Sequence, residues 1–185
     1  MAVAQRMNEE AYLEFVLSGV EGAWELHDGR LVEKPGMSWD HGRIVTRLIS
    51  SFDQQLDPAD IFVFAELRVR RQSAIVFLPD LMVVPATYSQ EFRNRPVLAI
   101  FSDPLPLVVE VWSPSTGEYD VDAKLPIYQQ RGDLEIWRFH PYERTLTSWQ
   151  RQSDGSYVET LHRSGTIAPM ALPGVTIDLG TLLNL

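Results

Sequence analysis

The chain has 185 residues, no cysteine, a net charge of −9 and 45% hydrophobic residues, which is enough for one domain with a full core. The absence of cysteine excludes disulfides, thiolate metal sites and cysteine nucleophiles. The acidic charge argues against a passive nucleic-acid coat but is compatible with a nuclease whose metal-binding acids add negative charge. With no signal-peptide pattern and no apolar run of membrane-spanning length, we expect one cytoplasmic domain over residues 1–185 and no membrane partner.

The first third of the chain predicts two helices separated by a β-hairpin. Clustered apolar residues predict a helix over 8–17. Asp28 and Gly29 lie between two short apolar segments, a pattern typical of a tight β-turn. A second helix is predicted over 38–56, because apolar residues recur at spacings of three and four and Ser38 can cap its start.

The middle of the chain predicts extended segments. Residues 61–71 alternate between two faces and predict one strand, and residues 74–84 predict a second extended stretch that bends at Pro79. Residues 107–112 are apolar except for Glu110. Such a run predicts a central strand that is buried on both faces.

The last third of the chain mixes one helix with several strands. Residues 118–131 predict a helix that ends at Gly132 and is either kinked at Pro126 or begins after 118. Strands are predicted at 134–140, 144–151, 156–163 and 175–177. The intermixed helices and strands predict one α/β layer domain.

Asp80 and Glu110 are the candidate metal ligands. Each lies at one end of an apolar run, and two carboxylates on neighbouring strands offer the hard oxygen ligands that Mg²⁺ prefers. A buried carboxylate is costly unless it is paired or bound to metal. The structural alternatives are a simple turn at Asp80, and a Glu110 that leaves the strand end or pairs with an arginine.

Lys124, Asp120 and His41 are the candidate supporting residues. Lys124 follows Asp120 by four residues, which also describes an ordinary ion pair on a helix surface. In the functional interpretation the Lys124 ammonium lies beside the attacking water or the phosphate, where it stabilises negative charge. His41 opens the second predicted helix and either lines the site or has a structural role.

Several short motifs occur together along the chain. They lie at 25–32, His41, Pro79-Asp80, 110–116, Asp120, Lys124, Tyr128, 135–137 and 172–174. In this combination the chain resembles the Uma-type family of restriction-endonuclease-like proteins, which is placed in the PD-(D/E)xK nuclease superfamily. The resemblance covers nearly the whole chain.

The resemblance implies a restriction-endonuclease-like α/β fold, with a mixed central β-sheet flanked by helices and additional β-hairpins. It implies that Asp80 and Glu110 bind Mg²⁺, with Mn²⁺ as an alternative, and that a lysine assists the attacking water. Trp112 occupies the place of the usual Glu-x-Lys lysine, so the family pattern gives this role to Lys124. Asp120 then orients Lys124.

The predicted function is Mg²⁺-dependent hydrolysis of DNA phosphodiester bonds by a homodimer, with the hairpins of 144–163 as its interface. Two alternatives use the same fold without catalysis, either as a nucleic-acid-binding protein or as a protein-interaction domain. A metal-dependent hydrolase of smaller phosphodiesters is a variant of the first prediction.

Overall fold

Two β-sheets form the centre of the protein in a computed structural model, which describes residues 6–72, 74–114 and 117–184. The helices are α1 (Glu9–Leu17), α2 (Trp39–Asp53), α3 (Gly117–Tyr119), α4 (Leu125–Arg131) and α5 (Leu179–Leu182). The strands are β1 (Ala23–His27), β2 (Arg30–Lys34), β3 (Ile61–Phe64), β4 (Arg68–Arg70), β5 (Val76–Phe77), β6 (Leu81–Pro85), β7 (Ile100–Phe101), β8 (Leu107–Val111), β9 (Glu135–His140), β10 (Thr145–Arg151), β11 (Tyr157–His162), β12 (Thr166–Ile167) and β13 (Ile177–Asp178). No helix within the described ranges is both long enough and apolar enough to cross a membrane.

The six-stranded sheet has the order β11-β10-β9-β8-β6-β3. β8 and β9 run parallel, and the other neighbouring pairs are antiparallel. All residues of β8 are buried, as predicted for a continuous apolar run. The candidate acid Glu110 therefore lies on an interior strand of the sheet.

The five-stranded sheet has the order β2-β1-β5-β4-β7. The segments 61–71 and 74–84 each contribute one strand to this sheet and one to the six-stranded sheet. The prediction of one strand over 61–71 was wrong, because this segment divides into β3 in one sheet and β4 in the other. Glu66 lies at the division with φ 56°, and its amide donates to the Pro79 carbonyl. Residues 74–84 divide in the same way, with Pro79 between β5 and β6. Alternation reports the two faces of a strand but not which sheet pairs with it.

The predicted helix over 118–131 contains a change of helical type. α3 is followed by a π-helical segment at Asp120–Lys124, and α4 then continues to Arg131. Pro126 lies in the first turn of α4, the part of a helix where proline is best tolerated. Gly132 ends α4 with φ 83°, the left-handed conformation that favours glycine.

Local signals elsewhere in the chain place their elements as predicted. The β1–β2 turn has positive φ at both Asp28 and Gly29, as a tight hairpin requires. The Ser38 side chain accepts the His41 amide and caps α2. The last strand, predicted at 175–177, is β13 at Ile177–Asp178. It pairs with β12, a short strand that was not predicted from the sequence.

The six-stranded sheet separates two hydrophobic clusters and thereby orients the candidate acids. Val109 packs on the face that α2 covers, whereas Val108 packs on the opposite face with α4. Met82 of β6 shares the face of Val108. Since side chains alternate along a strand, Asp80 and Glu110 also face the α4 side.

Candidate active site

Asp80 and Glu110 lie opposite each other at one end of the six-stranded sheet. β6 and β8 are paired with Leu81 opposite Val109, so the same register extended by one residue brings the two acids together. The Val111 amide donates to Asp80 Oδ2 over 2.7 Å, which ties the start of β6 to the end of β8. Both carboxyl groups are almost fully buried.

A small cavity joins the two acids to the rest of the candidate site. Its volume is about 20 Å³, which is room for about one water molecule. It is lined by Glu25, Val32, Glu33, Lys34, Pro35, Gly36, His41, Asp80, Glu110, Ser113, Tyr119, Asp120 and Lys124. The structure therefore brings all five sequence-predicted site residues, Asp80, Glu110, Lys124, His41 and Asp120, to one cavity.

Asp80 is surrounded by groups that favour its ionised form. Lys34 Nζ lies 2.7 Å from Asp80 Oδ1, and His41 Nε2 lies 3.1 Å from the same oxygen. Burial raises the pKa of Asp80, but the Lys34 ammonium and the His41 imidazole outweigh burial and hold the pKa below its usual value. Asp80 is therefore a carboxylate at neutral pH.

Glu110 is in the opposite electrostatic situation. Burial raises the pKa of Glu110 to about 8 against the opposing effect of Lys124, and Asp120 and Asp80 add to the rise. Tyr128 donates its hydroxyl hydrogen to Glu110 Oε1 over 2.5 Å. Glu110 is therefore largely protonated at neutral pH in the metal-free protein.

Lys124 lies at the centre of a group of three carboxyl side chains. Its Nζ lies 3.0 Å from Glu25 Oε1, 3.2 Å from Glu110 Oε1 and 3.4 Å from Asp120 Oδ1. Burial lowers the pKa of Lys124, but these acids outweigh burial and raise it well above its usual value. The predicted Asp120–Lys124 pair is thus buried within the π-helical segment rather than exposed on a helix surface.

His41 approaches the cavity from the first turn of α2. Its side chain is buried, and Nδ1 has no hydrogen-bonding partner among the described residues. A buried imidazole nitrogen without a partner is costly. His41 therefore has a ring nitrogen that can still bind a ligand or an ordered water.

Glu25, Lys34 and Tyr128 are site residues to which sequence reasoning gave no role. Glu25 accepts the Leu78 amide over 2.8 Å and is 1% exposed. Its place in the 25–32 motif was a signal, as was that of Tyr128 in the motif set. For Lys34 the signal was composition, since only two of the 16 basic residues are lysines, Lys34 and Lys124.

The charge of the cavity fits a divalent cation. Its four buried carboxyl groups, from Glu25, Asp80, Glu110 and Asp120, face two ammonium groups, so full ionisation leaves an excess of two negative charges. Carboxylate oxygens are also the ligands that Mg²⁺ and Mn²⁺ prefer. In the described residues, however, no three His, Asp or Glu side chains are already arranged as a ligand set, and Asp80 Oδ1 is already paired with Lys34.

Trp112, at the expected lysine position, lies away from the cavity lining. Its ring stacks on His140 with ring centroids 4.4 Å apart. Two arginines of β4 are also engaged elsewhere: Arg68 donates to the Tyr12 hydroxyl, and Arg70 donates to Glu9, so both attach α1 to β4.

Comparison with known proteins identifies the family. A family model described as "Putative restriction endonuclease" matches residues 10–180. The chain belongs to the Uma2 family. This membership confirms the resemblance found in the motifs. No curated protein matches the chain.

A solved structure of a second Uma2-type protein supports the fold. The crystal structure of "a putative nuclease belonging to DUF820" from Anabaena variabilis ATCC 29413 has a TM-score of 0.79 and 19% sequence identity. The match covers 96% of this chain and 97% of the other. It confirms the predicted fold class, in which mixed sheets are flanked by helices.

Proposed function

We propose that this Uma2 protein is a Mg²⁺-dependent endonuclease that hydrolyses DNA phosphodiester bonds, with Mn²⁺ as a substitute ion. The observation that carries the proposal is the placement of Asp80 and Glu110 opposite each other on one cavity with both lysines of the chain. Family membership supports a nuclease-like function. When bound, the divalent cation lowers the pKa of a water and neutralises charge on the phosphate.

The residues around the cavity have separate roles in the proposed reaction. Asp80 and Glu110 would hold the cation, and Lys124 would position the attacking water or stabilise the charge of the transition state. Asp120, 3.4 Å from Lys124, orients that ammonium. His41 contacts Asp80 through Nε2, and its Nδ1, which has no partner among the described residues, can bind an ordered water or a ligand. Because the cavity has room for about one water, the DNA phosphate must be bound at its mouth.

A homodimer is part of the proposal, because two copies can reach both DNA strands. β11 is an edge strand of the six-stranded sheet, and its Val158 and Leu161 are about half exposed. An edge strand with apolar side chains is a surface on which a second chain can pair. Sedimentation at several concentrations tests this, and Leu161→Lys is expected to give a monomer.

The first experiment measures Mg²⁺ and Mn²⁺ binding by calorimetry and then cleavage of plasmid and oligonucleotide DNA. We expect the native protein to bind a divalent cation, and Asp80→Asn and Glu110→Gln each to weaken that binding at least about tenfold, because each removes one anionic ligand. Their cleavage rates are expected to fall by about 10²-fold or more.

Glu143→Gln is the matched control for this experiment. Glu143 is an exposed acid that does not line the cavity, so its variant should bind metal and cleave DNA like the native protein. Absence of metal binding by the native protein, even with DNA present, would contradict the nuclease proposal. Salt-dependent DNA binding without metal binding would then indicate the non-catalytic alternative.

A further inference from the structure

The lysine content of the chain singles out a second basic residue in the cavity. Of the 16 lysine and arginine residues, only Lys34 and Lys124 are lysines. Both line the same small cavity. A lysine ammonium is a compact charge on a flexible stem, whereas an arginine guanidinium is larger and planar. The cavity has a volume of about 20 Å³, and the chain places its only two compact cations there.

Lys34 reaches from one sheet to the other. It is the last residue of β2, in the five-stranded sheet, and its Nζ contacts Asp80 beside the six-stranded sheet. The same ammonium donates to the Leu78 carbonyl over 2.9 Å. Its side chain is 7% exposed, so a long cationic side chain is held almost completely inside the protein.

The two lysines differ in how firmly they are held. Lys124 lies within 3.4 Å of three carboxyl groups. Lys34 has one close carboxylate, Asp80, while Glu66 lies 3.8 Å away and is partly exposed. Among the described residues Asp80 is the carboxylate closest to the Lys34 ammonium, so a cation that bound Asp80 would compete with Lys34 for that carboxylate.

Lys34 also lies closer to the entrance of the cavity. The next two residues, Pro35 and Gly36, line the cavity, and Gly36 is exposed. The side chain of Lys124 is 2% exposed, compared with 7% for Lys34. The Lys34 side of the cavity therefore adjoins solvent-exposed chain at Gly36.

We propose that Lys34 is a catalytic residue that binds a non-bridging oxygen of the scissile phosphate. The inference rests on the proposed nuclease function and adds a role for a residue outside the predicted set. In the metal-free protein Lys34 neutralises Asp80. If a divalent cation bound to Asp80 as proposed, the Lys34 ammonium would become available to the phosphate, while Lys124 would stay with Glu25, Glu110 and Asp120.

The test compares Lys34→Met with Arg95→Met, which removes a positive charge from an exposed residue outside both the cavity lining and the proposed dimer interface. Calorimetry measures Mn²⁺ affinity, and single-turnover cleavage at saturating Mn²⁺ measures the chemical step. For Lys34→Met we expect Mn²⁺ affinity to be equal to or higher than native, because a competitor for Asp80 is gone. The cleavage rate should fall by about 10²–10³-fold. Arg95→Met should match the native protein in both Mn²⁺ affinity and cleavage rate.

A second measurement uses the native chain and does not depend on the folding of a variant. Protein labelled with ¹⁵N-lysine gives two side-chain ammonium signals, which Lys34→Met assigns. With Mg²⁺ present, added thymidine 5′-monophosphate should shift the Lys34 signal saturably. A shift confined to Lys124, or no shift in a protein that cleaves DNA, would overturn the proposal.

The outcomes separate this inference from the nuclease proposal. Native-rate cleavage by Lys34→Met refutes the catalytic role of Lys34 alone. Joint loss of Mn²⁺ binding and cleavage in a folded Lys34→Met protein also refutes it, since Lys34 would then only hold Asp80 in place. A native protein that neither binds Mn²⁺ nor cleaves DNA refutes the proposed function and the role of Lys34 together.

Discussion

Asp80 and Glu110 lie on the same face of the same sheet, yet their surroundings shift their pKa values in opposite directions. Asp80 is contacted by Lys34, His41 and a backbone amide. Glu110 shares the single cation Lys124 with two other acids. The burial of the two groups is nearly equal, so the balance of neighbouring charges, rather than depth, decides which acid keeps its proton.

This difference gives the two sides of the cavity separate properties. The Asp80 carboxylate carries a negative charge at neutral pH with Lys34 as its counter-ion, whereas Glu110 holds a proton. If the proposed divalent cation binds to Glu110, a proton is expected to be released below pH 8, the pKa of Glu110. If both acids were ionised before a cation bound, the carboxylates of Asp80 and Glu110 would repel each other.

The largest expected effect is a loss of stability when Lys124, the ammonium among three carboxyl groups, is replaced. Lys124→Met leaves Glu25, Glu110 and Asp120 buried without their cation, and we expect the free energy of unfolding to fall by about 3–5 kcal/mol. Lys34→Met should cost less, about 1–3 kcal/mol, because Asp80 keeps His41 and the Val111 amide. Urea unfolding of both variants measures the difference.

The two lysine variants test the comparison directly. Equal losses would mean that the two sides of the cavity contribute alike, which contradicts the crowding of acids around Lys124. Arg95→Met, already needed for the cleavage assays, provides the exposed-cation control and should change the free energy of unfolding by less than about 0.5 kcal/mol.

The next effect is a pair of opposite pH dependences in the metal-free protein. The folded pKa of Glu110, about 8, lies above its ordinary 4.5, so its contribution is fully present below pH 4.5 and is lost as the pH rises to 8. Asp80 has a lowered pKa. Its contribution is present above its ordinary 3.8 and is lost as the pH falls through the folded pKa.

Melting temperatures from pH 3 to 9 check these signs. Relative to the native protein, Glu110→Gln should gain stability as the pH rises from 4.5 to 8, the window set by its pKa. Asp80→Asn should be destabilised at neutral pH, with a difference that shrinks in acid. Parallel curves for the two variants, with Glu143→Gln as the exposed control, would mean that the two acids share one environment.

The smallest effect concerns the hydrogen bond that Tyr128 donates to Glu110. Tyr128→Phe removes this donor and is expected to lower the free energy of unfolding by about 1 kcal/mol at pH 6, where Glu110 is neutral. The loss should grow above pH 8, because the hydroxyl then no longer stabilises a carboxylate. Denaturant unfolding at pH 6 and pH 9 measures both values, and a smaller loss at pH 9 would contradict the pKa of Glu110.

Elements with strong local signals were predictable from the sequence. α2 follows from its apolar spacing and the Ser38 cap, and the β1–β2 turn follows from Asp28 and Gly29. The continuous apolar run of β8 predicted a buried strand, so Glu110 stood out as an acid in an apolar setting. These signals are local because capping, turn geometry and burial act over a few residues.

The division of 61–71 between two sheets had no local signal, because strand pairing is set by distant partners such as β6 and β7. The role of Lys34 was missed for the same reason. It is 46 residues from Asp80 along the chain (80 − 34), and nothing next to Lys34 in sequence indicates that it crosses to the other sheet.

The sequence by itself therefore determined the family, the fold class and the acids on adjacent strands, because residue type and spacing encode these features. The tertiary structure alone decided that Lys34 pairs with Asp80 and Lys124 with Glu110. It also decided that Asp80 is ionised while Glu110 keeps its proton. Electrostatic energies depend on distances in space and on burial, and residues such as Glu25, Lys34 and Lys124 meet only when the two sheets come together.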